Sequence, residues 1–207
     1  MLRMAQVLRP SLPPRSVVTE ISSKLAASTP RRLSIAGFRR AAVLVPVLQT
    51  ATGPELLFTV RAAGMRSHAG QIAFPGGRLE PGEDSVDAAV REAAEEVGLE
   101  VSRGDILGAL SDHPSPAGYV ATPVVACVRW PQQLSLDTNE VDEVFLVPLA
   151  DLMAIEPGSE FRELESYRRR LYSYPWNGRN IWGFTGNVVR NLLDVLAGSA
   201  GDDFDTW

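Results

Sequence analysis

The sequence predicts an α/β fold, a mixed sheet held between helical layers. Short apolar runs rich in β-branched residues recur along the chain: AAVLVPVL at 41–48, ELLFTVR at 55–61, VATPVVACV at 120–128 and VDEVFLV at 141–147. Runs of that length bounded by turn residues read as strands. Two segments, 85–97 and 179–196, instead space their apolar residues three and four apart, which is the helical period. Strands interleaved with two principal helices pack as a sheet between helices.

Composition bounds the function. At 207 residues the chain is one ordinary domain with extensions, 45% apolar and 22% charged, long enough to bury a core. A net charge of −5 argues against a general nucleic-acid binder. No apolar run approaches the length of a membrane span. The single cysteine, Cys127, lies in VVACV and cannot form an internal disulfide, so it reads as a buried, inert thiol. A reducing, cytoplasmic setting is expected.

Residues 1–40 carry seven arginines and one lysine against one acid, Glu20. This bias reads as a basic N-terminal arm or, alternatively, as an organellar transit peptide. The opening MLRMAQVLRP has no continuous apolar core of a secretory signal. Residues 17–27 suit a short helix with Val18, Ile21 and Leu25 on one face.

Pro46 in the first strand suggests an edge or a bulge. Gly53-Pro54 reads as the turn to the second strand, making a hairpin. A glycine-punctuated loop from 64 to 77 ends in Phe74-Pro75-Gly76-Gly77. Strands are expected at 106–111, 120–128 and 141–147, with HPSPAG as a loop between the first two. Residues 148–153 suit a short helix, 160–174 a hairpin or ordered loop, and 179–196 the terminal helix. The expected organisation is a basic extension over 1–35, a domain over 36–197 and an acidic tail over 198–207.

The stretch around which the rest is organised is 77–99, GRLEPGEDSVDAAVREAAEEVGL. Pro81-Gly82 is a turn dipeptide, Glu83 to Ser85 are capping and first-turn residues, and Gly98 stands where a helix ends. Val86, Ala89, Val90, Ala93 and Val97 form an apolar stripe. Glu92 and Glu96, four apart, stack on one side with Glu95 beside them. Taken alone, such a ridge reads either as a solvated acidic face or as oxygen ligands for a hard cation such as Mg2+ or Mn2+.

The whole pattern resembles the Nudix box, glycine-x5-Glu-x7-Arg-Glu-U-x-Glu-Glu-x-Gly-U. Every fixed position matches, with only a small residue, Ala93, at the first bulky-apolar position U. The resemblance implies the α/β/α Nudix sandwich, with the box as a loop–helix–loop at one end of the sheet. It also implies divalent-metal-dependent hydrolysis of a nucleoside diphosphate linked to another moiety. Glu92 and Glu96 are then the expected metal ligands, with Glu95 a further ligand or the water-orienting base. The carbonyl of Gly76 or Gly77 can complete the shell, and Arg91 with its partner Glu83 plays a supporting part.

The residues preceding the box are similar to the additional signature of the coenzyme A pyrophosphatase branch. Leu57-Phe58-Thr59-Val60-Arg61 continues through Arg66 and Gly70 to Phe74, Gly76 and Gly77, with Phe58 in place of a leucine. Ser67-His68-Ala69-Gly70-Gln71, Thr122-Pro123-Val124-Val125, Glu143-Val144-Phe145 and Ile181-Trp182-Gly183 with Thr185 also resemble that branch. The implied substrate is coenzyme A or a derivative, with Arg61 and Arg66 gripping phosphate oxygens and the glycines admitting a pyrophosphate. Pro114, sixteen residues after Gly98, is the sort of proline seen in ADP-ribose enzymes and keeps that substrate as an alternative. A nucleotide-binding sensor is the non-enzymatic alternative. Glu140, ahead of the last long strand, is a candidate extra acid, although Asp137-Thr138-Asn139 before it also reads as a simple turn. Either a monomer or a homodimer fits.

Overall fold

The computed structural model describes residues 14–64, 69–164 and 167–199. Helix α1 (Pro14–Ala27) leads into a hairpin of β1 (Arg39–Thr50) and β2 (Gly53–Arg61). Two short strands follow, β3 (Ile72–Ala73) and β4 (Gly76–Arg78), then helix α2 (Ser85–Val97). After a 3-10 turn at Arg103–Asp105 come β5 (Ile106–Ala109), β6 (His113–Ser115), β7 (Tyr119–Arg129) and β8 (Val141–Pro148). The chain closes with α3 (Leu149–Ala154), β9 (Gly158–Leu164), β10 (Tyr167–Trp176), β11 (Arg179–Trp182) and α4 (Gly183–Ala197).

The first eight strands form one sheet along the path β3-β2-β1-β7-β5, with β4 on β1, β6 on β7 and β8 on β2. The β1–β7 pair is parallel through eleven residue pairs from Arg39↔Tyr119 to Gln49↔Arg129, while the other pairings are antiparallel. The sheet is therefore mixed, as expected. Alternate residues of β1 face opposite ways. Ala42, Leu44 and Leu48 meet Ala88, Ala89, Ala93 and Val97 of α2, while Val45 and Val47 meet Ile21 and Leu25 of α1 and Val188, Val189 and Leu192 of α4. Helices thus cover both faces, giving the α/β/α layering.

Several local expectations are corrected. Pro46 marks neither an edge nor a bulge. It falls between the β4 ladder, which ends at Val43, and the β2 ladder, which begins at Val47, where a residue without an N–H forfeits nothing. The hairpin turn is at Ala51 and Thr52, because Thr50 already pairs with Gly53. HPSPAG is only half a loop: His113–Ser115 forms β6, folded back on β7 through the turn at Pro116-Ala117-Gly118. The terminal helix starts at Gly183, and the four residues before it pair with β10 as β11.

The N-terminal segment is knitted into the domain from α1 onward. Ile21 and Leu25 are 2% and 4% exposed. Asp112, wholly buried, accepts from Leu33 N at 3.0 Å, Arg40 Nη1 at 2.9 Å, Arg32 Nη1 at 3.3 Å and Thr122 Oγ1 at 2.7 Å. The boundary expected at residue 35 thus cuts through packed structure. Residues 1–13 and most of the acidic tail lie outside the described residues, and Gly198 caps α4.

Candidate active site

Helix α2 is built to a fixed length and held close to the sheet. The Asp84 carboxylate accepts from Val86 N and Asp87 N, both at 2.9 Å, satisfying N-terminal amides that have no helical partner. At the other end Gly98 adopts φ 68°, and Leu99 N reaches back to Ala93 O at 3.2 Å, the αL ending that glycine permits. The alanines beneath the helix keep its backbone near β1 and β4. That closeness aims the glutamates at the glycines that end the preceding loop.

Glu96 is 5% exposed, and its Oε2 accepts one hydrogen bond from Gly76 N at 3.3 Å. Burial pushes its pKa up to about 8, helped by the charges of Glu92 and Glu140 and opposed by Arg61. Burial also raises Glu92, with Arg91 acting against it and Glu95 and Glu140 with it. Gly77 lies against the Glu92 carboxylate so closely that a methyl group there would overlap it. Glu95 is the open member, its side chain 61% exposed.

Arg91 ties the ridge to the turn before it. Its Nε and Nη2 grip Glu83 at 2.8 and 3.0 Å, while Nη1 donates to Glu92 Oε1 at 2.9 Å and Glu95 Oε2 at 3.0 Å. Nη2 also donates to the carbonyl of Arg78 at 3.1 Å. The Arg91 hydrogen bonds hold Glu83 below the usual carboxylate range. Glu92 and Glu95 are thus turned onto a guanidinium. Among the described residues no three acidic, histidine or cysteine side chains converge as a ready-made metal cluster.

The preceding loop supplies the opposite wall. The β2–β8 register shifts at Val60/Arg61, the kind of bulge that re-aims a side chain beside a site. There the Arg61 charge acts on Glu96, and Arg61 Nε is buried with no hydrogen-bond partner among the described residues. Ala62 N donates to Glu140 O at 2.8 Å, which brings the candidate extra acid beside the same cluster. Gly70, at φ 70°, donates to Arg61 O at 2.9 Å. Phe74 is 4% exposed and stacks on Phe58 with centroids 4.7 Å apart. It therefore anchors the loop from within the core and is not open to a substrate, contrary to expectation. Arg66 and His68 lie outside the described residues.

The structure adds two contributions: a role for Thr185, which the sequence marks without explaining, and a groove. Thr185 Oγ1, at the start of α4, donates to Ile72 O at 2.9 Å and pins the loop across 113 residues. A groove of about 510 Å³ runs off Glu92 and Arg91 between Arg39, Arg40, Arg78 and the turn at Leu79-Glu80-Pro81. In the sequence Arg39 and Arg40 stand only as part of a basic N-terminal bias. Their position at the start of the central strand is what brings them here.

The NUDIX domain family profile matches residues 38–169, well over half the chain. The chain belongs to the Nudix family. A Nudix hydrolase from Photorhabdus laumondii subsp. laumondii, described as uncharacterized and called NudL, is 41% identical over 174 residues, covering 81% of this chain and 89% of that one. Its namesake from Yersinia pestis strain Pestoides F is 37% identical over 164 residues, covering 77% and 80%. Among solved structures, a MutT protein from Methanosarcina mazei Go1 is 22% identical, with a TM-score of 0.47 over 59% of this chain and 86% of that one. Membership makes the chain a Nudix hydrolase of small nucleotide derivatives, and Nudix hydrolases generally need divalent ions. The donor set suits such an ion: oxygen-only, crowded, and with one carboxylate that burial leaves poorly satisfied.

Proposed function

We propose that this Nudix hydrolase cleaves the pyrophosphate of coenzyme A, or an acylated or oxidised derivative, into 3′,5′-ADP and 4′-phosphopantetheine or its acyl form. The observation that carries the reading is Arg61: a guanidinium beside Glu96 whose buried Nε has no hydrogen-bond partner among the described residues, in the loop that leads to the box. A buried donor without a partner is costly, and a phosphate oxygen satisfies it with a charge-assisted bond. Arg66 is assigned the same role, reading the 3′-phosphate or pyrophosphate.

Glu92 and Glu96 would hold Mg2+ or Mn2+, with Glu95 and the carbonyl of Gly76 or Gly77 available to complete the shell. The bound ion supplies charge neutralisation and a polarised water. Arg91 sets the rotamers of Glu92 and Glu95 and is itself fixed by Glu83. Glu95, the exposed carboxylate, accepts the proton of the attacking water. The water oxygen bonds to phosphorus as the anhydride P–O bond breaks, and the leaving phosphate keeps the electron pair. Glu140 adds negative charge at the rim.

ADP-ribose is the alternative substrate, and its sequence signal, Pro114, has a structural part in this fold. Pro114 sits in β6, paired with Val120, with its carbonyl bonded to Arg169, so it is a structural residue. The deciding experiment incubates purified protein with coenzyme A, dephospho-coenzyme A, ADP-ribose and NADH in turn, with Mg2+ or Mn2+ and with a chelator. The expected result is metal-dependent release of 3′,5′-ADP from coenzyme A well above all other turnover, sharply reduced in Arg61→Ala. Preference for ADP-ribose would discard the coenzyme A assignment. Nucleotide binding without turnover would make the chain a sensor.

A further inference from the structure

We propose that β9 is a self-complementary docking edge through which two copies of this chain pair antiparallel, joining their three-stranded sheets into one of six strands. The inference is independent of the substrate. The small sheet runs β11-β10-β9. Strand β9 pairs with β10 from Gly158↔Ser173 to Tyr167↔Leu164, and among the described residues its outer edge has no strand partner. Every residue from 158 to 163 is exposed, and Phe161, one of the exposed large apolar residues, is 44% accessible. A long exposed edge with an apolar centre is a template for another strand.

The charges choose the occupant. Proteins blunt such edges with like charges that repel a copy of themselves. Here the order is Ser159-Glu160-Phe161-Arg162-Glu163. An antiparallel partner centred on Phe161 sets Glu160 of each copy opposite Arg162 of the other, with Ser159 opposite Glu163 and Phe161 opposite Phe161. Opposite charges directly across a pair of strands stabilise it, and like charges destabilise it. Within one chain Glu160 and Arg162 are already paired at 2.9 Å on one face of the strand. Pairing two copies merges two such couples into an alternating four-charge cluster. On the opposite face, the Arg170 guanidinium lies 4.6 Å above the Phe161 ring, so the pairing brings two such cation–ring couples together at the two-fold axis. Parallel pairing in register would set Glu160 against Glu160, so the pattern selects one orientation as well as one partner.

Edge pairing alone buries less surface than a permanent dimer needs, so a reversible, concentration-dependent dimer is expected. Sedimentation velocity over a wide concentration range tests this on the full chain, with folding of each variant checked by circular dichroism. Glu160→Arg sets Arg against Arg, Arg162→Glu sets Glu against Glu, and each is expected to weaken self-association by roughly tenfold or more. The double exchange Glu160→Arg/Arg162→Glu restores it. An equimolar mixture of the two single variants restores it too, because each chain then meets the opposite charge in the other. Phe161→Cys, at the two-fold axis, should cross-link as a dimer without reductant, and Ser159→Cys should not. A monomer at all concentrations would overturn the proposal. So would a dimer indifferent to both single changes, or failure of the mixture to associate.

Discussion

Helices α2 and α4 lie on opposite faces of the same sheet, both end on a left-handed glycine, and both bury polar side chains. The difference is what those side chains meet. On α4, Asn187 accepts from Tyr172 N at 3.0 Å and donates to Arg170 O at 2.8 Å, Asn191 accepts from Ser111 N at 3.0 Å, and Asp194 is paired with Arg190 at 2.8 Å. On α2, Glu96 is just as buried but has one weak bond and two acidic neighbours. Buried polar groups are normally satisfied, so the α4 residues fasten the small sheet to the large one. Glu96 instead keeps a pKa raised mainly by burial, with Arg61 only partly opposing it, and perturbed groups of that kind cluster at functional sites.

Four experiments can break or sharpen that contrast. The largest effect is expected on α2: Glu96→Gln removes the carboxylate proposed to hold the metal ion. Turnover should fall by roughly a hundredfold or more, while the metal-free protein melts no lower than the parent. An active variant would return Glu96 to the ranks of structural acids.

Next in size is deletion of residues 1–35, which strips Ile21 and Leu25 from the α4 face and Leu33 and Arg32 from Asp112. Losing two buried aliphatic side chains costs about 2–5 kcal/mol each, so urea unfolding should show a much lower midpoint or no folded baseline. An unchanged midpoint would make the segment an arm after all.

On α4, Asn187→Leu should cost about 1–3 kcal/mol, because Tyr172 N and Arg170 O lose their partner. In contrast to Glu96→Gln, kcat measured below the melting range should barely move.

The smallest effect concerns pH. His113 is fully buried beside Arg169, and burial first, then that charge, holds its pKa well below 6.5. The folded state keeps it neutral while the unfolded chain protonates near 6.5, so stability is present above that pH and declines below it. Melting temperature should drop between pH 7 and about 5.5, and a His113→Gln variant should show a flatter profile.

The α2 site was legible because its information is local. Caps, apolar stripe and acid ridge all lie within 77–99, and Arg91–Glu83 is a contact eight residues long. Arg61 was legible only through its place in a longer signature. Its meaning depends on the register shift opposite β8, which no local pattern announces. Phe74 has the same difficulty, since its stacking on Phe58 joins the link between β3 and β4 to the core face of β2. The Asp112 hub stayed invisible: three of its four partners lie about seventy to eighty residues away, and a lone Asp between two strands reads as a turn residue. Strand β6 was hidden by two prolines, a signal for a loop that tertiary pairing with β7 overrides.

The parallel pairing of β1 with β7 has a consequence for how the protein is made. Eleven residue pairs join segments about eighty positions apart, and contacts that distant form slowly because a long loop must first be closed. The floor beneath α2 comes partly from β7, so the box helix emerges from the ribosome well before the surface that supports it. Its three glutamates can spread into water until residue 129 has been added. The floor of the site can therefore close only after β7 has been made.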